Sequence, residues 1–540
     1  MKNINRLPRP ARLPLPLALG ALLCFFAAIP CHGMQKWLYY PTNISVDDNV
    51  NRLETVFRRA AKTGYSHVLL GDSKFGRLWE MQPHYFQNIE RVKKLAAELR
   101  LEIVPSLLPI GYSNDLLWNE PNLIEGLPVK SARFVVKGGV AVPDSRLSFK
   151  GGSFERASDW DWKDDNMIVA NGAVQVSDAG GQNARIVQKL RLFPFHVYHL
   201  EVEVKTESFQ GAPEVKILAG DQSLNFADLK VKPTQDWTPH HVVFNSLTHT
   251  QVNLYLGAWG AGKGSLAFRN AKLSEPGLVN IIRRPGTPFT VKTLDGRILT
   301  EGKDYAPAID PLMGTRPWNG EYDVWHEPLS LRAPLADGTV LLISWYHAVT
   351  VGDGQAMICL SEPKTAELLQ KQARAMHEAW DAHEYMMSFD EIRVMNWCEA
   401  CRKRHLTPGQ MLAQTARDCE RTMHELNPSG HVCVWSDMFD PNHNAHANYY
   451  LVNGDLAGSW DGLLPQTVVL QWNYDKRAQS LAWFSRRGHH QIIAGYYDHN
   501  PAEVRNWLQA ADQAPGVDGV MYTTWVNNYA DLEIFAGFIH

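Results

Sequence analysis

Short apolar runs alternate with stretches of helical spacing at both ends of this chain, while its middle carries a two-residue alternation. Residues 36–40, 67–71 and 101–107 read as strands. Helices are expected between them, over about 47–63, where Val50, Leu53, Val56 and Phe57 recur at helical spacing, and over 83–99. The rhythm then stops. From about 129 to 275 the runs 184–192, 198–206, 214–218, 240–244, 251–257 and 265–273 alternate between turn residues, as strands of a β-sandwich do. Residues 276–350 read as an irregular β-rich bridge ending in a strand at 340–347. Helical spacing resumes at 363–380, followed by strands at 385–389, 432–435, 467–472, 491–497 and 519–525, with helices expected over 408–426, 477–487 and 501–511. Three strands before the interruption and five after it make eight, the number that closes a (β/α)8 barrel. Counting 340–347 would make nine, so that strand is assigned to the insertion.

Before the first strand, Lys2, Arg6, Arg9 and Arg12 precede an apolar run over 13–30 and small or polar residues near Gly33. This pattern predicts a signal peptide over 1–33, with an uncleaved anchor as the alternative. No later stretch has ~18 consecutive apolar residues, so the mature form is expected outside the membrane, secreted or periplasmic in a bacterium. A net charge of −4 leaves no basic excess to neutralise phosphates, which excludes nucleic acid as the expected partner. The 18 Trp residues concentrate in the second half, and a sugar ring stacks on such flat faces.

The chemistry collects at strand ends. The run 385–389 is apolar on both faces except at Ser388, as in a strand covered on both sides, and it stops at Asp390 and Glu391. Such carboxyl ends are where α/β folds hold their reactive groups. Neighbouring strand residues point to opposite faces, so both acids reach one pocket only if the strand ends or bulges there; it is expected to end at Asp390. The bland alternative has Asp390 capping the next segment and Glu391 pairing with Arg393 on the surface. Later strand ends supply Trp435 and Asp437, Trp472 and Asn473, Tyr497 and Asp498, and Trp525 and Asn527, a set suited to sugar hydroxyls and ring faces. Glycoside cleavage needs one group to protonate the departing oxygen and another to attack or stabilise the cation. Adjacent acids suit Glu391 as general acid/base and Asp390 as the group orienting a substrate acetamide, with the charge of Asp390 keeping Glu391 protonated.

Two resemblances follow from quoted residues. Gly151-Gly-Ser-Phe-Glu155, Trp160, Trp162, the run 198–205, Trp237 and the run 268–273 resemble the jelly-roll sandwiches of bacterial carbohydrate-binding modules. The Asp390-Glu391 pair ending the fourth barrel strand, with Trp435, Trp472 and Trp525 as walls, resembles glycoside hydrolase family 20, the β-N-acetylhexosaminidase-like enzymes. That resemblance implies retaining cleavage assisted by the substrate acetamide and gives Tyr497 the role of steadying the acetamide oxygen. Met-Ser-Phe precedes the pair where the family has a glycine-rich pattern, and the first strand lacks the family's sugar-binding Arg. The expected fold is therefore an α/β (β/α)8 TIM barrel interrupted after strand 3 by a jelly-roll β-sandwich, with segments 1–33, 34–128, 129–275, 276–350 and 351–540.

The expected partner is an oligosaccharide or polysaccharide. Two alternatives stay open: a conventional retaining glycosidase using Glu391 and Asp498, and a non-catalytic glycan-binding or polysaccharide-assembly protein. No cofactor or metal is expected. Cys398-x-x-Cys401 reads as a disulfide, as half of a zinc site with Cys419 or Cys433, or as free thiols. His431, His443, His446 and His499 read as loop residues rather than ligands.

Overall fold

The computed structural model describes residues 33–313, 322, 324–352 and 354–539; apart from Gly33, the expected leader lies outside them. Among the described residues, eight parallel strands close a barrel in chain order: β1 (Gln35–Pro41), β2 (His67–Gly71), β3 (Glu102–Leu107), β4 (Glu384–Met387), β5 (His431–Trp435), β6 (Val468–Gln471), β7 (Gln491–Ile493) and β8 (Val517–Tyr522). The ring closes at β1, where Trp37 stands opposite His67 of β2 and Met521 of β8.

Strand alternation sets the two faces of this barrel. Trp37, Leu69, Val104, Met386, Cys433, Leu470, Ile492 and Met521 fill the interior. Their neighbours Leu38, Val68, Tyr385 and Met387 turn outward onto the helices. Two of these, α1 (Asp47–Lys62) and α2 (Pro83–Leu99), cover the early strands with Val50, Leu53, Phe57, Ile89 and Val92. Two later helices have a sequence reason to start where they do: α3 (Pro363–Trp380) opens on a proline whose fixed φ suits a first turn, and α4 (Pro408–Leu426) on a capping box between Thr407 and Gln410.

The expectation of a regular (β/α)8 TIM barrel with one jelly-roll insertion is corrected by this architecture. Of the described residues 32% are in strands and 25% in helices, so the protein is a closed parallel barrel joined to antiparallel sheets rather than a helix-rich (β/α)8 fold. One physical reason lies between β5 and β6. That connection lacks helical spacing and forms only the 3-10 turns Asp437–Phe439 and Ser459–Gly462 and the short strand Leu451–Val452.

The other reason is the segment between β3 and β4. It builds two five-stranded sheets and also a six-stranded antiparallel sheet. In the six-stranded sheet Leu127–Lys137 and Val140–Pro143 join Thr290–Thr293, Ile298–Leu299, Leu331–Arg332 and Val340–His347. Strands on either side of residues 275 and 276 thus share one layer. The alternation was readable in the sequence; the long-range pairing that assigns each strand to its sheet was not.

Candidate active site

At the carboxyl end of the barrel a cavity of about 510 Å³ is lined by Tyr39, Leu69, Ser106, Pro109, Tyr112, Ser388, Asp390, Glu391, Trp435, Trp472 and Trp525. That volume lies in the usual range for a small-molecule site. Its floor follows from the parity of β4. The ladder ends at Met387, but the inward set continues from Met386 through Ser388 to Asp390, while Phe389 turns out into the helix layer. Glu391 then adopts φ +48°, a left-handed conformation uncommon outside glycine. This single turn brings the second carboxyl into the same cavity, which an extended strand would have prevented.

The turn is fixed from three sides. Asp437 accepts the Glu391 N–H at 2.8 Å, Gln355 Nε2 donates to the Glu391 carbonyl at 2.9 Å, and the same amide donates to Gly111 O at 2.9 Å. The Glu391 carboxylate pairs with Arg393 Nη2 at 2.8 Å and accepts from the Tyr112 hydroxyl. Arg393 in turn donates to Gln355 Oε1 and lies over the rings of Phe226 and Tyr450, 5.4 and 5.0 Å from their centroids. Phe226 belongs to a sandwich strand, so the insertion itself packs behind the site.

Asp390 has a different environment. Burial pushes its carboxyl well above the usual range, and the nearby charges of Asp437 and Glu391 push in the same direction. Burial likewise raises Asp437 to about 7, partly opposed by the Glu391 N–H and the side chains of Asn444 and Trp472. Burial thus pushes Asp390 and Asp437 towards their protonated forms, while the Glu391 carboxyl lies against the Arg393 guanidinium. From the sequence, Asp390 was expected to be the charge that keeps Glu391 protonated; here burial pushes Asp390 itself towards its protonated form.

The walls are aromatic. Tyr39 stands edge-on to Trp525 at 5.5 Å and to Trp435 at 6.1 Å, and Trp472 packs against His443 at 4.4 Å. Burial lowers His443 to about 4, so it is a neutral packing partner near neutral pH. Trp525 is 53% exposed and forms the rim.

Of the residues expected from the sequence, the cavity gathers Asp390, Glu391, Trp435, Trp472 and Trp525. The others stand elsewhere. Asp437 is buried behind Glu391 as a backbone acceptor. Asn473 is half-buried and donates to the Asn442 carbonyl at 3.2 Å. Tyr497 is fully buried on the outer face, packed on Tyr522 and Phe535, because strand parity turns it towards the helices. Asp498 accepts from the Thr524 hydroxyl and, at 2.7 Å, from the Trp525 N–H, so both oxygens hold the β8 loop. Asn527 lines a separate basin with Arg52 and Tyr529. Conversely, Tyr39, Ser106 and Tyr112 were missed. For Tyr39 a signal existed: it shares parity with the barrel-filling Trp37.

The cleft continues past this cavity. A neighbouring basin of about 380 Å³ shares Tyr39, Ser106, Pro109 and Tyr112 with it. That basin in turn shares Pro41, Thr42 and Asn43 with the one containing Asn527. Among the described residues, no helix is long and apolar enough to cross a membrane.

No protein-family model and no curated protein sequence matches the chain. Solved structures similar to it include a CBM4 carbohydrate-binding module at 16% identity and TM-score 0.20, covering 24% of this chain and 99% of that one. A family 16 carbohydrate-binding module has 21% identity and TM-score 0.19, with the same coverage. A rhamnosidase from Novosphingobium sp. PP1Y has 12% identity and TM-score 0.33 over 93% of this chain and 58% of that one. All three scores are below 0.5, so the chemistry has to be read from the cavity itself.

Proposed function

We propose that the protein is a glycoside hydrolase acting on β-linked 2-acetamido sugars within a longer glycan, with the substrate's own acetamide as nucleophile. One observation carries this reading: the two carboxyls lining the cavity are sequence neighbours, while Asp498 is occupied by Thr524 and Trp525. Double displacement by the protein needs a carboxylate across the ring from the acid. Among the described lining residues none is available there, whereas an acetamide carbonyl attacking C1 needs none.

The roles follow from where the proton rests. Asp390, held protonated by burial and by Asp437, gives its proton to the departing glycosidic oxygen. Glu391, steadied by Arg393 and Tyr112, accepts the acetamide N–H and balances the positive charge that develops on the cyclised intermediate. Water, deprotonated by the Asp390 carboxylate, then opens that intermediate and restores the starting state. The aromatic walls support the ring's apolar face, and the continuing cleft fits a chain of sugars better than a single one.

The test is a panel of aryl β-glycosides with and without the 2-acetamido group. Wild type is expected to cleave only the acetamido sugars. Asp390→Asn is expected to lose about 10²–10⁴-fold on poor leaving groups and far less on good ones, because only the former need a proton. Glu391→Gln should lose activity equally on both. Comparable cleavage of plain glucosides would overturn the proposal, as would a covalent glycosyl adduct on the protein.

A further inference from the structure

A second cluster of reactive side chains lies outside the cavity. Cys359, Cys398, Cys401 and Glu125 are all buried, and one ligand atom from each lies within 4.8 Å of the others. Cys359 Sγ is 3.5 Å from Cys398 Sγ and 3.6 Å from Cys401 Sγ, and Cys401 Sγ is 3.3 Å from Glu125 Oε2. A disulfide would require ~2.05 Å between sulfurs. A tetrahedral site with metal–sulfur bonds of ~2.3 Å has sulfur–sulfur edges of ~3.8 Å, close to the spacings found.

The surroundings fit a closed metal site. Glu125 Oε1 accepts from the backbone N–H groups of Trp397 at 2.9 Å and Cys398 at 2.8 Å, which leaves Oε2 turned towards the sulfurs. Arg284 Nη1 lies 3.7 Å from Cys398 Sγ, and Arg284 is anchored by Glu362 and by the carbonyls of Asn122 and Ile124. Such outer partners orient ligands and take up part of the charge of a thiolate-rich site. Cys419 and Cys433, the partners first considered for the Cys-x-x-Cys pair, are absent from this cluster: Cys419 lies on α4, and Cys433 fills the barrel interior.

We propose that Glu125, Cys359, Cys398 and Cys401 bind one structural zinc ion. Three thiolates and one carboxylate around a four-coordinate centre favour zinc among the common divalent ions, and the absence of an open ligand position marks the site as structural. Glu125 lies where the chain enters the insertion, Cys359 where it leaves, and Cys398 and Cys401 just after Asp390 and Glu391. The ion ties both ends of the insertion to the segment carrying Arg393.

The test uses the full chain, purified without a metal-binding tag. Elemental analysis is expected to give about one zinc per chain, lost in Cys401→Ser and in Cys359→Ser. Because either variant could misfold, wild type is also denatured with chelator under non-reducing conditions and alkylated: all three thiols should react. Cobalt added to zinc-free wild type should give the visible spectrum of a tetrahedral thiolate site. Absence of bound zinc after zinc incubation, stoichiometric iron instead, or a disulfide that withholds two of these thiols would overturn the proposal.

Discussion

The α-carbon of Gly111 lies against the carbonyl of Asp390 so closely that a Cβ there would stand 1.6 Å from the Asp390 oxygen. Backbone cannot yield as a flexible side chain can, so this glycine sets the position of the turn that presents both acids. Its use here is close approach rather than a special φ.

Gly111→Ala should therefore push the Asp390–Glu391 turn out of register. A displacement near 1 Å at a reacting group can cost about 10²-fold in rate, and kcat/KM is expected to fall by at least that factor. The variant should remain folded, because the turn lies at the barrel mouth. Circular dichroism together with kinetics checks this; wild-type kinetics in a folded variant would remove the turn from the mechanism.

The ion pair between Arg393 and Glu391 is mostly buried, and the insertion closes over it through Phe226. Removing one partner of a buried pair costs about 3–5 kcal/mol, because the other charge is left behind. Arg393→Leu should lower stability on that scale in denaturant melts, and the double variant Arg393→Leu/Glu391→Leu should recover much of the loss. Equal loss in the single and double variants would mean that packing of Arg393 on Phe226 and Tyr450 matters more than charge.

Acidity in the pair Asp390 and Asp437 predicts a pH dependence. Asp437, raised to about 7 from an ordinary 3.8, binds more protons folded than unfolded between those values. Stability should therefore fall as pH rises from about 4 to about 7, with each pKa unit worth ~1.4 kcal/mol. Asp437→Asn removes the share of this slope that Asp437 carries, so its stability relative to wild type should improve with pH across that window. The same change removes a charge that raises Asp390. The basic limb of kcat against pH should then move to lower pH, and an unmoved limb would assign the proton to another group.

Much of this site was legible because strand parity and strand ends are local. The run into Asp390 and Glu391 and the recurring Trp at strand ends needed only periodicity. What failed needed distance or a reversal of parity. Tyr497 was placed in the pocket because it ends the run 491–497 and the resemblance gave it a role there, yet the inward parity at that position belongs to its neighbours and Tyr497 packs on Phe535. Tyr112 reaches Glu391 across 279 positions, a contact no periodicity reports. Arg393 entered only through the bland alternative of a surface pair with Glu391, because the two-residue spacing gives no hint that Phe226, far off in the sandwich, covers it. The sheet membership of residues 127–143 was hidden in the same way, by partners lying 190 or more positions further along.

Asp498 separates two mechanisms. Its oxygens hold Thr524 and the Trp525 N–H, so Asp498→Ala should loosen the Trp525 platform, raising KM about tenfold or more while changing kcat little. A nucleophile would behave in the opposite way, with kcat collapsing. Mass spectrometry of enzyme treated with a fluorinated glycoside gives the second reading, and no adduct on Asp498 is expected.

The cleft makes the last prediction, about chain length. The cavity over Asp390 and Glu391 opens past Tyr39 and Tyr112 into a second basin, and Pro41, Thr42 and Asn43 join that basin to a third. A group at Thr42 is distant from the reacting bond but lies on the path of a long glycan. Thr42 contributes its backbone N–H to the Gly71 carbonyl, a bond that survives a change of side chain. Thr42→Trp should therefore leave kcat/KM unchanged on an aryl monosaccharide and reduce it about tenfold or more on oligosaccharides long enough to reach the third basin. The loss should appear at a definite length, which counts the sugars bound on that side. A uniform loss on every substrate would mean that the substitution disturbs the barrel mouth, and no loss at any length would mean that the glycan leaves by another route.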